Sequence, residues 1–290
     1  MRILLFGKNG QLGWELQRTL APLGAITALD FEDLDLGDPA LLRRWIQDVR
    51  PEVVVNAAAY TNVDAAESEP DKAFAINAAA PQIMAQETRA MNAALIHYST
   101  DYVFDGTKGA PYVEDDVPHP VNVYGESKLA GEQAVQAMGS SFLIFRTAWL
   151  YSMRGDNFVT KVLSWARKHE VLHIVDDQIA NPTWARTLAQ LTAHILIRGT
   201  DYVAEHRGLY HLAGDGYASR YDWAQEILKL DPKPEEHMAE EVRRASTSDI
   251  PTPAKRPRFS ALDCGLCTQI FGVTAPAWAH ELKLALMDSA

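Results

Sequence analysis

Tyr124 and Lys128 stand four residues apart in the segment Tyr124-Gly125-Glu126-Ser127-Lys128, downstream of Tyr98-Ser99-Thr100-Asp101-Tyr102. In a helix, that spacing puts the phenol and the ammonium on one face, one turn apart. A free tyrosine titrates at about 10 and exchanges protons poorly at neutral pH. A neighbouring cation and a helix N-terminus both favour the phenolate. Bringing the phenol close to neutrality takes roughly 4 kcal/mol, which a charge about 4 Å away in a partly buried site can supply. The pair is therefore expected to act as an acid/base unit tuned toward neutral pH. Tyrosine and lysine at this spacing also occur on solvated helix faces, so the surrounding elements decide.

Those elements alternate. Arg2-Ile3-Leu4-Leu5-Phe6 is a short apolar run closed by Gly7, the pattern of a strand buried on both faces. Leu12, Leu16 and Leu20 then recur at helical spacing. A second strand is expected over 25–29, ending at Asp30. Asp38-Pro39 reads as a helix start running to about Val49. Strands follow over 52–56, 94–99 and 142–147, with helices over 70–91 and 124–138. The alternation predicts an α/β fold with a doubly wound parallel sheet, whose ligands sit beyond the carboxyl ends of the strands. Gly7, Asp30, Asn56, Ser99 and Thr147 fall at such ends. Beyond residue 150 the pattern loosens. Helices are expected near 156–168 and 184–198, strands near 171–175 and 208–213, and a helix after Ser219-Arg220-Tyr221-Asp222 with a capping-box-like start. Residues 231–260 read as irregular loops, and a last helix begins near Pro276.

Gly7-Lys8-Asn9-Gly10-Gln11-Leu12-Gly13 lies between the first strand and the first helix. Glycines there allow a tight turn and close approach of the backbone to a pyrophosphate, which the helix N-terminus then faces. Asp30, at the end of the next strand, suits ribose hydroxyls and repels a 2′-phosphate. Phe31, Glu32 and Asp33 add no cation, so NADH is favoured, with NADPH left open by Lys8. Lys8 reads equally as a solvated loop lysine. Residues 1–150 are expected to form the dinucleotide-binding domain, with segments near 177–213 packing back on it. Residues 151–290 form mainly a smaller substrate-binding lobe.

The 290 residues carry a net charge of -11, which argues against general nucleic-acid binding and leaves an anionic ligand dependent on a local basic cluster. Nothing at the N-terminus resembles a signal peptide and no apolar run is long enough to span a bilayer, so a soluble, cytoplasmic chain without membrane partners is expected. Cys264 and Cys267 are the only cysteines; without a second pair or a histidine cluster they read as two reduced thiols.

Together the glycine loop, Asn56-Ala57-Ala58-Ala59, Ser99-Thr100-Asp101 and Tyr124-x-x-x-Lys128 resemble the extended short-chain dehydrogenase/reductase family. The segments at 7–16, 56–64, 99–106 and 146–151 resemble its branch that reduces dTDP-linked 4-keto sugars, as do Asp177-Gln178, Pro182-Thr183 and the stretch 252–257. The resemblance covers nearly the whole chain. It implies a Rossmann-type domain and hydride delivery from NAD(P)H to the 4-keto group of dTDP-4-dehydro-L-rhamnose. By it, Tyr124, Lys128 and Thr100 are catalytic. Gly7, Asn9, Gly10, Gln11, Leu12, Gly13, Asp30, Ala57, Ala58 and Ala59 hold the cofactor, with Tyr124 and Lys128. Thr61, Val63, Thr100, Asp101, Tyr102 and Trp149 contact the sugar, Trp149 reading otherwise as core. Lys255, Arg256 and Arg258 are candidates for the substrate diphosphate, or a solvated basic loop; Arg256 matches the branch best.

Some members of the branch hold magnesium between two subunits through glutamates. Glu15 matches one, but the position of the second is Arg186, where a cation repels a metal ion. Magnesium and that mode of dimerisation are therefore not expected, and a homodimer of another kind stays open. Two other functions fit the resemblance: a nucleotide-sugar dehydratase or epimerase, and a non-catalytic regulatory subunit of methionine adenosyltransferase type. Tyr102, where a dehydratase would carry an acid, and the intact Thr100, Tyr124 and Lys128 favour simple reduction.

Overall fold

The computed structural model describes residues 1–287. Six strands form one parallel sheet: β1 Arg2–Phe6, β2 Ala25–Leu29, β3 Val53–Asn56, β4 Ala94–Thr100, β5 Ser141–Thr147 and β6 Gly208–His211. Their order is β6-β5-β4-β3-β1-β2, so the chain changes direction across the sheet between β1 and β3. A crevice opens at such a switch point, and here it lies between the glycine loop after β1 and the alanines after β3.

Both faces are covered, as the apolar runs require. On one face Ile3, Leu5, Val53, Val55 and Ile96 pack with Leu12, Leu16 and Leu20 of helix Gln11–Leu20 and Leu188 of helix Ala185–Leu196. On the other, Leu4, Phe6, Val54 and Leu95 pack with Leu42, Ile46 and Met84. Helix Pro39–Val49 starts as its sequence dictates: Asp38 Oδ1 accepts from the amides of Ala40 and Leu41 at 3.0 Å each.

A separate cluster of buried side chains, including Tyr151, Val162, Trp184, Trp223 and Leu282, forms the core of the later segments. There the expected irregular stretch 231–260 contains a strand, Glu241–Ala245, paired in parallel with Val171–Val175. Its side chains are half-buried or exposed, so no apolar alternation marked it. The last helix begins at Trp278, two residues after the proline. Cys264 and Cys267 are free thiols flanking and within helix Gly265–Phe271. Among the described residues no helix is long and apolar enough to cross a membrane.

The helix expected over 70–91 is broken. Pro70–Phe74 and Ala80–Ala90 are α-helical, but Ala75–Ala79 winds as a π turn. An alanine-rich stretch keeps its apolar face through one inserted residue, so periodicity cannot register the insertion. The π turn sits against helix Val123–Met138, which carries Tyr124 and Lys128. A Cβ on Gly131 of that helix would lie 2.1 Å from the Asn77 carbonyl oxygen. Gly131→Ala should therefore force the two backbones apart and destabilise the fold by about 1–3 kcal/mol. Chemical denaturation measures this, and an unchanged midpoint would contradict the backbone contact.

Candidate active site

A cleft of about 440 Å³ opens at the carboxyl ends of the strands. Its walls include Gly7, Gly10, Gln11, Leu12, Asp30, Ala57, Ala58, Ala59, Thr61, Thr100, Asp101, Tyr124, Lys128 and Trp149, so most of the sequence-predicted residues converge on one space.

The glycine loop is shaped by backbone contact. Gly7 has φ +87°, and a Cβ there would lie 2.8 Å from the Ala58 amide nitrogen. A Cβ on Gly13 would lie 1.8 Å from the Gly7 carbonyl oxygen, so Gly13 packs the helix onto the loop and does not line the cleft. Helix Gln11–Leu20 has no side-chain cap, and its first residues, Gln11 and Leu12, line the crevice, so its N-terminus offers an anion site. Asn9 serves through its backbone: its amide donates to Asp30 Oδ2 at 2.7 Å. Lys8 is partly exposed but not free for a phosphate, because its ammonium pairs with Asp33 at 2.5 Å.

Helix Val123–Met138 starts at Asn122, whose side chain accepts from the Gly125 amide at 2.8 Å. Gly125 brings this end onto the turn after β4, where a Cβ would lie 2.2 Å from the Tyr102 carbonyl oxygen. Tyr102 is buried, its ring edge-on to Tyr124 with centroids 5.8 Å apart. Asn77, in the π turn, accepts from the Tyr60 amide at 2.8 Å and donates to Ser127 Oγ at 3.0 Å. Ser127 in turn donates to the Tyr124 carbonyl at 2.8 Å. Asn77 thus steadies the turn carrying the phenol, a role that no sequence motif disclosed.

The acid/base pair differs from its expected form. Lys128 is 2% exposed, and its ammonium donates to the Tyr98 carbonyl at 2.6 Å. Burial pulls it down to about 8. Burial pushes Tyr124 well above its ordinary value, against the opposing hydrogen bond to Thr100. Desolvation outweighs the helix N-terminus here, and the Lys128 charge is directed to a carbonyl. Tyr124 is therefore protonated at neutral pH, the form a proton donor needs.

Thr100 Oγ1 accepts from the Tyr102 amide and donates to Asp101 Oδ1, each at 3.2 Å. Asp101, expected to meet substrate, is itself buried, and its other carboxylate oxygen accepts from Ser260 Oγ at 2.5 Å. Burial pushes Asp101 up to about 6. The Asp101 carboxylate thus orients Thr100. Ser260 comes from the 231–260 region and carried no signal in the sequence.

Besides Asn9 and Gly13, three predicted residues lie off this cleft. Val63 opens the short helix Val63–Ala66. Tyr102 is placed as above. Arg256 lines a neighbouring cleft of about 530 Å³ that shares Gln11, Trp149 and Leu150 with the first. Arg256 donates to Asp64 Oδ2 at 2.8 Å. Arg258 is exposed, 3.9 Å from Asp177. Trp149 joins the two clefts with φ +40°, a strained conformation for a bulky residue. Glu15 is buried, and Arg186 Nε reaches its Oε2 at 3.3 Å. Among the described residues no group of three His, Cys, Asp or Glu side chains could hold a metal ion.

The model of the RmlD substrate binding domain matches residues 1–290. The chain is 42% identical to the dTDP-4-dehydrorhamnose reductase of Burkholderia thailandensis over 294 residues, covering 99% of each. It is 42% identical to that of Escherichia coli K12 over 293 residues, covering 99% of this chain and 98% of the relative. Among solved structures it is similar to dTDP-4-dehydrorhamnose reductase from Bacillus anthracis in complex with NADP, with TM-score 0.90, 32% identity and 99% of each chain covered.

The Lys128 environment sets an expected pH profile. Its folded value of about 8 lies below the ordinary 10.5, so the ammonium persists at neutrality and is lost as pH rises through about 8. Catalysis that uses the charged lysine should hold near neutrality and decline above about pH 8. Steady-state kcat/KM measured from roughly pH 6 to pH 10 tests this. Lys128→Arg should shift the alkaline fall upward in whatever activity it retains. A flat wild-type profile would contradict the assignment.

Proposed function

The chain belongs to the RmlD substrate binding domain family, and from that premise we propose that it reduces the 4-keto group of dTDP-4-dehydro-L-rhamnose with NAD(P)H, giving dTDP-L-rhamnose in the last step of that synthesis. The observation that carries this reading is the convergence of Tyr124, Thr100 and Lys128 on the cleft that also holds the glycine loop. The loop fits a dinucleotide: its uncapped helix faces the crevice, and a Cβ on Gly10 would meet only the Gly7 carbonyl oxygen, at 3.4 Å. Gly7, Gly10, Gln11 and Leu12 would hold the pyrophosphate, Asp30 the adenosine ribose, and Ala57, Ala58 and Ala59 the opposite wall.

Bound NAD(P)H supplies the hydride. Tyr124, protonated at neutral pH, donates its proton to the oxygen that becomes the alcohol. Thr100, held by Asp101, positions that oxygen, and Lys128 orients the nicotinamide ribose. Thr61 and Trp149, which line the cleft, bound the sugar. Residues 1–150 serve the cofactor, together with the segment 177–213, and residues 151–290 mainly the substrate. Glu15 is engaged by Arg186, so turnover should not need a divalent metal. The absence of a membrane-spanning helix among the described residues accords with a cytoplasmic enzyme, and a homodimer is compatible with this reading.

The test is oxidation of NADH or NADPH on adding dTDP-4-dehydro-L-rhamnose. Tyr124→Phe should bind cofactor normally and lose about 100-fold or more of turnover. Wild-type rates in that variant would remove Tyr124 as the proton donor.

Cofactor preference follows from Lys8. With its charge held by Asp33, Lys8 is not free for a 2′-phosphate, so NADH should serve at least as well as NADPH. Asp33→Asn should release Lys8 and raise the NADPH-to-NADH ratio of kcat/KM several-fold. An unchanged ratio would show that the pair does not govern the choice.

A further inference from the structure

We propose that Arg220 is the cation that receives the substrate diphosphate, an inference that rests on the nucleotide-sugar reading above. Arg220 lines the second cleft, which joins the catalytic one through Gln11, Trp149 and Leu150. Its guanidinium carbon lies 3.7 Å from the Trp149 ring centre and 4.7 Å from that of Phe158. On its polar side it meets the Tyr102 phenol. It therefore stands where the nucleotide end of a substrate would pass, once the sugar has reached Tyr124.

Three observations say that this cation is there for a ligand and not for stability. First, the cleft's other cations already have carboxylates: Arg256 has Asp64 at 2.8 Å, and Lys161 has Asp156 at 3.0 Å. Among the described residues no carboxylate stands within ion-pair distance of Arg220, and Asp101 acts on it only through the field. Second, Arg220 is the first residue of helix Arg220–Leu230, the positive end of the helix dipole, where a cation is unfavourable and an anion is welcome. Third, burial disfavours its charge, pulling it down to about 10, yet it stays protonated at neutral pH. A diphosphate would relieve all three at once. The planar fork can stack on Trp149 and still present N–H groups to two phosphate oxygens. In a chain of net charge -11, this local centre must supply the attraction that the overall field denies.

Calorimetric titration with dTDP and with thymidine tests the proposal, using wild type, Arg220→Met, Arg220→Lys and Arg256→Ala. Arg220→Met should weaken dTDP by about 10-fold or more, as for loss of a charge-assisted contact, and leave thymidine within about 2-fold. Arg220→Lys should recover part of the loss, and Arg256→Ala should lose less than Arg220→Met. Without ligand, Arg220→Met should melt no lower than wild type, the reverse of what a structural arginine would give. Unchanged dTDP affinity in Arg220→Met, an equal loss for thymidine, or a loss confined to Arg256→Ala would overturn the assignment. If wild type binds dTDP and reduces the keto sugar while Arg220→Met binds normally, only this inference falls. If wild type does neither, the functional reading falls with it.

Discussion

The site depends on the backbone contact that helix Val123–Met138 makes at two glycines. Gly125 rests on the Tyr102 carbonyl and Gly131 on the Asn77 carbonyl, each too close to admit a side chain. At that distance the helix cannot slide or tilt without overlap, so Tyr124 and Lys128 are held over the ends of β4 and β5. A buried ion pair locks the same helix from below. Arg146 of β5 grips Glu132 with two bonds, at 2.9 and 2.6 Å, and Ser99 of β4 donates to the same carboxylate at 2.5 Å. Removing one partner of such a pair would strand a buried charge, which makes the geometry costly to leave.

Fixing the helix this deeply has electrostatic consequences. Burial raises Tyr124 and Asp101 and lowers Lys128 and Arg220, so each group is pushed toward its neutral form. For a reductase the outcome is useful. The phenol keeps its proton at neutral pH, and Lys128 keeps its charge there because the Glu132 carboxylate partly offsets the effect of burial. Such an arrangement opposes stability and serves chemistry, as is common where side chains are held ready for a ligand.

The same tension governs the acidic surface. With so much negative charge, most cations near the clefts are neutralised within the chain: Lys8 by Asp33, Arg186 by Glu15, Arg256 by Asp64. Pairing of this kind decides which cation can meet an anionic ligand, and it depends on residues far apart in sequence.

The sequence by itself determined the sheet, the glycine loop and the Tyr124–Lys128 helix. These follow from local rules: apolar runs closed by Gly7 or Asp30, Asp38-Pro39 as a helix start, and glycines where a strand meets a helix. Whole-chain similarity added Thr100 and the side chains proposed to contact the sugar. Tertiary structure alone decided how charges and protons are arranged. The strand Glu241–Ala245 was invisible because its side chains are largely exposed, and the π turn because an alanine-rich helix face hides an inserted residue. Asn77, Ser260 and Arg220 had no motif to mark them, and the pairing of Arg256 with Asp64 spans 192 positions. Such contacts depend on the distance between folded segments, and a linear pattern carries the period of an element but not the partner it will face.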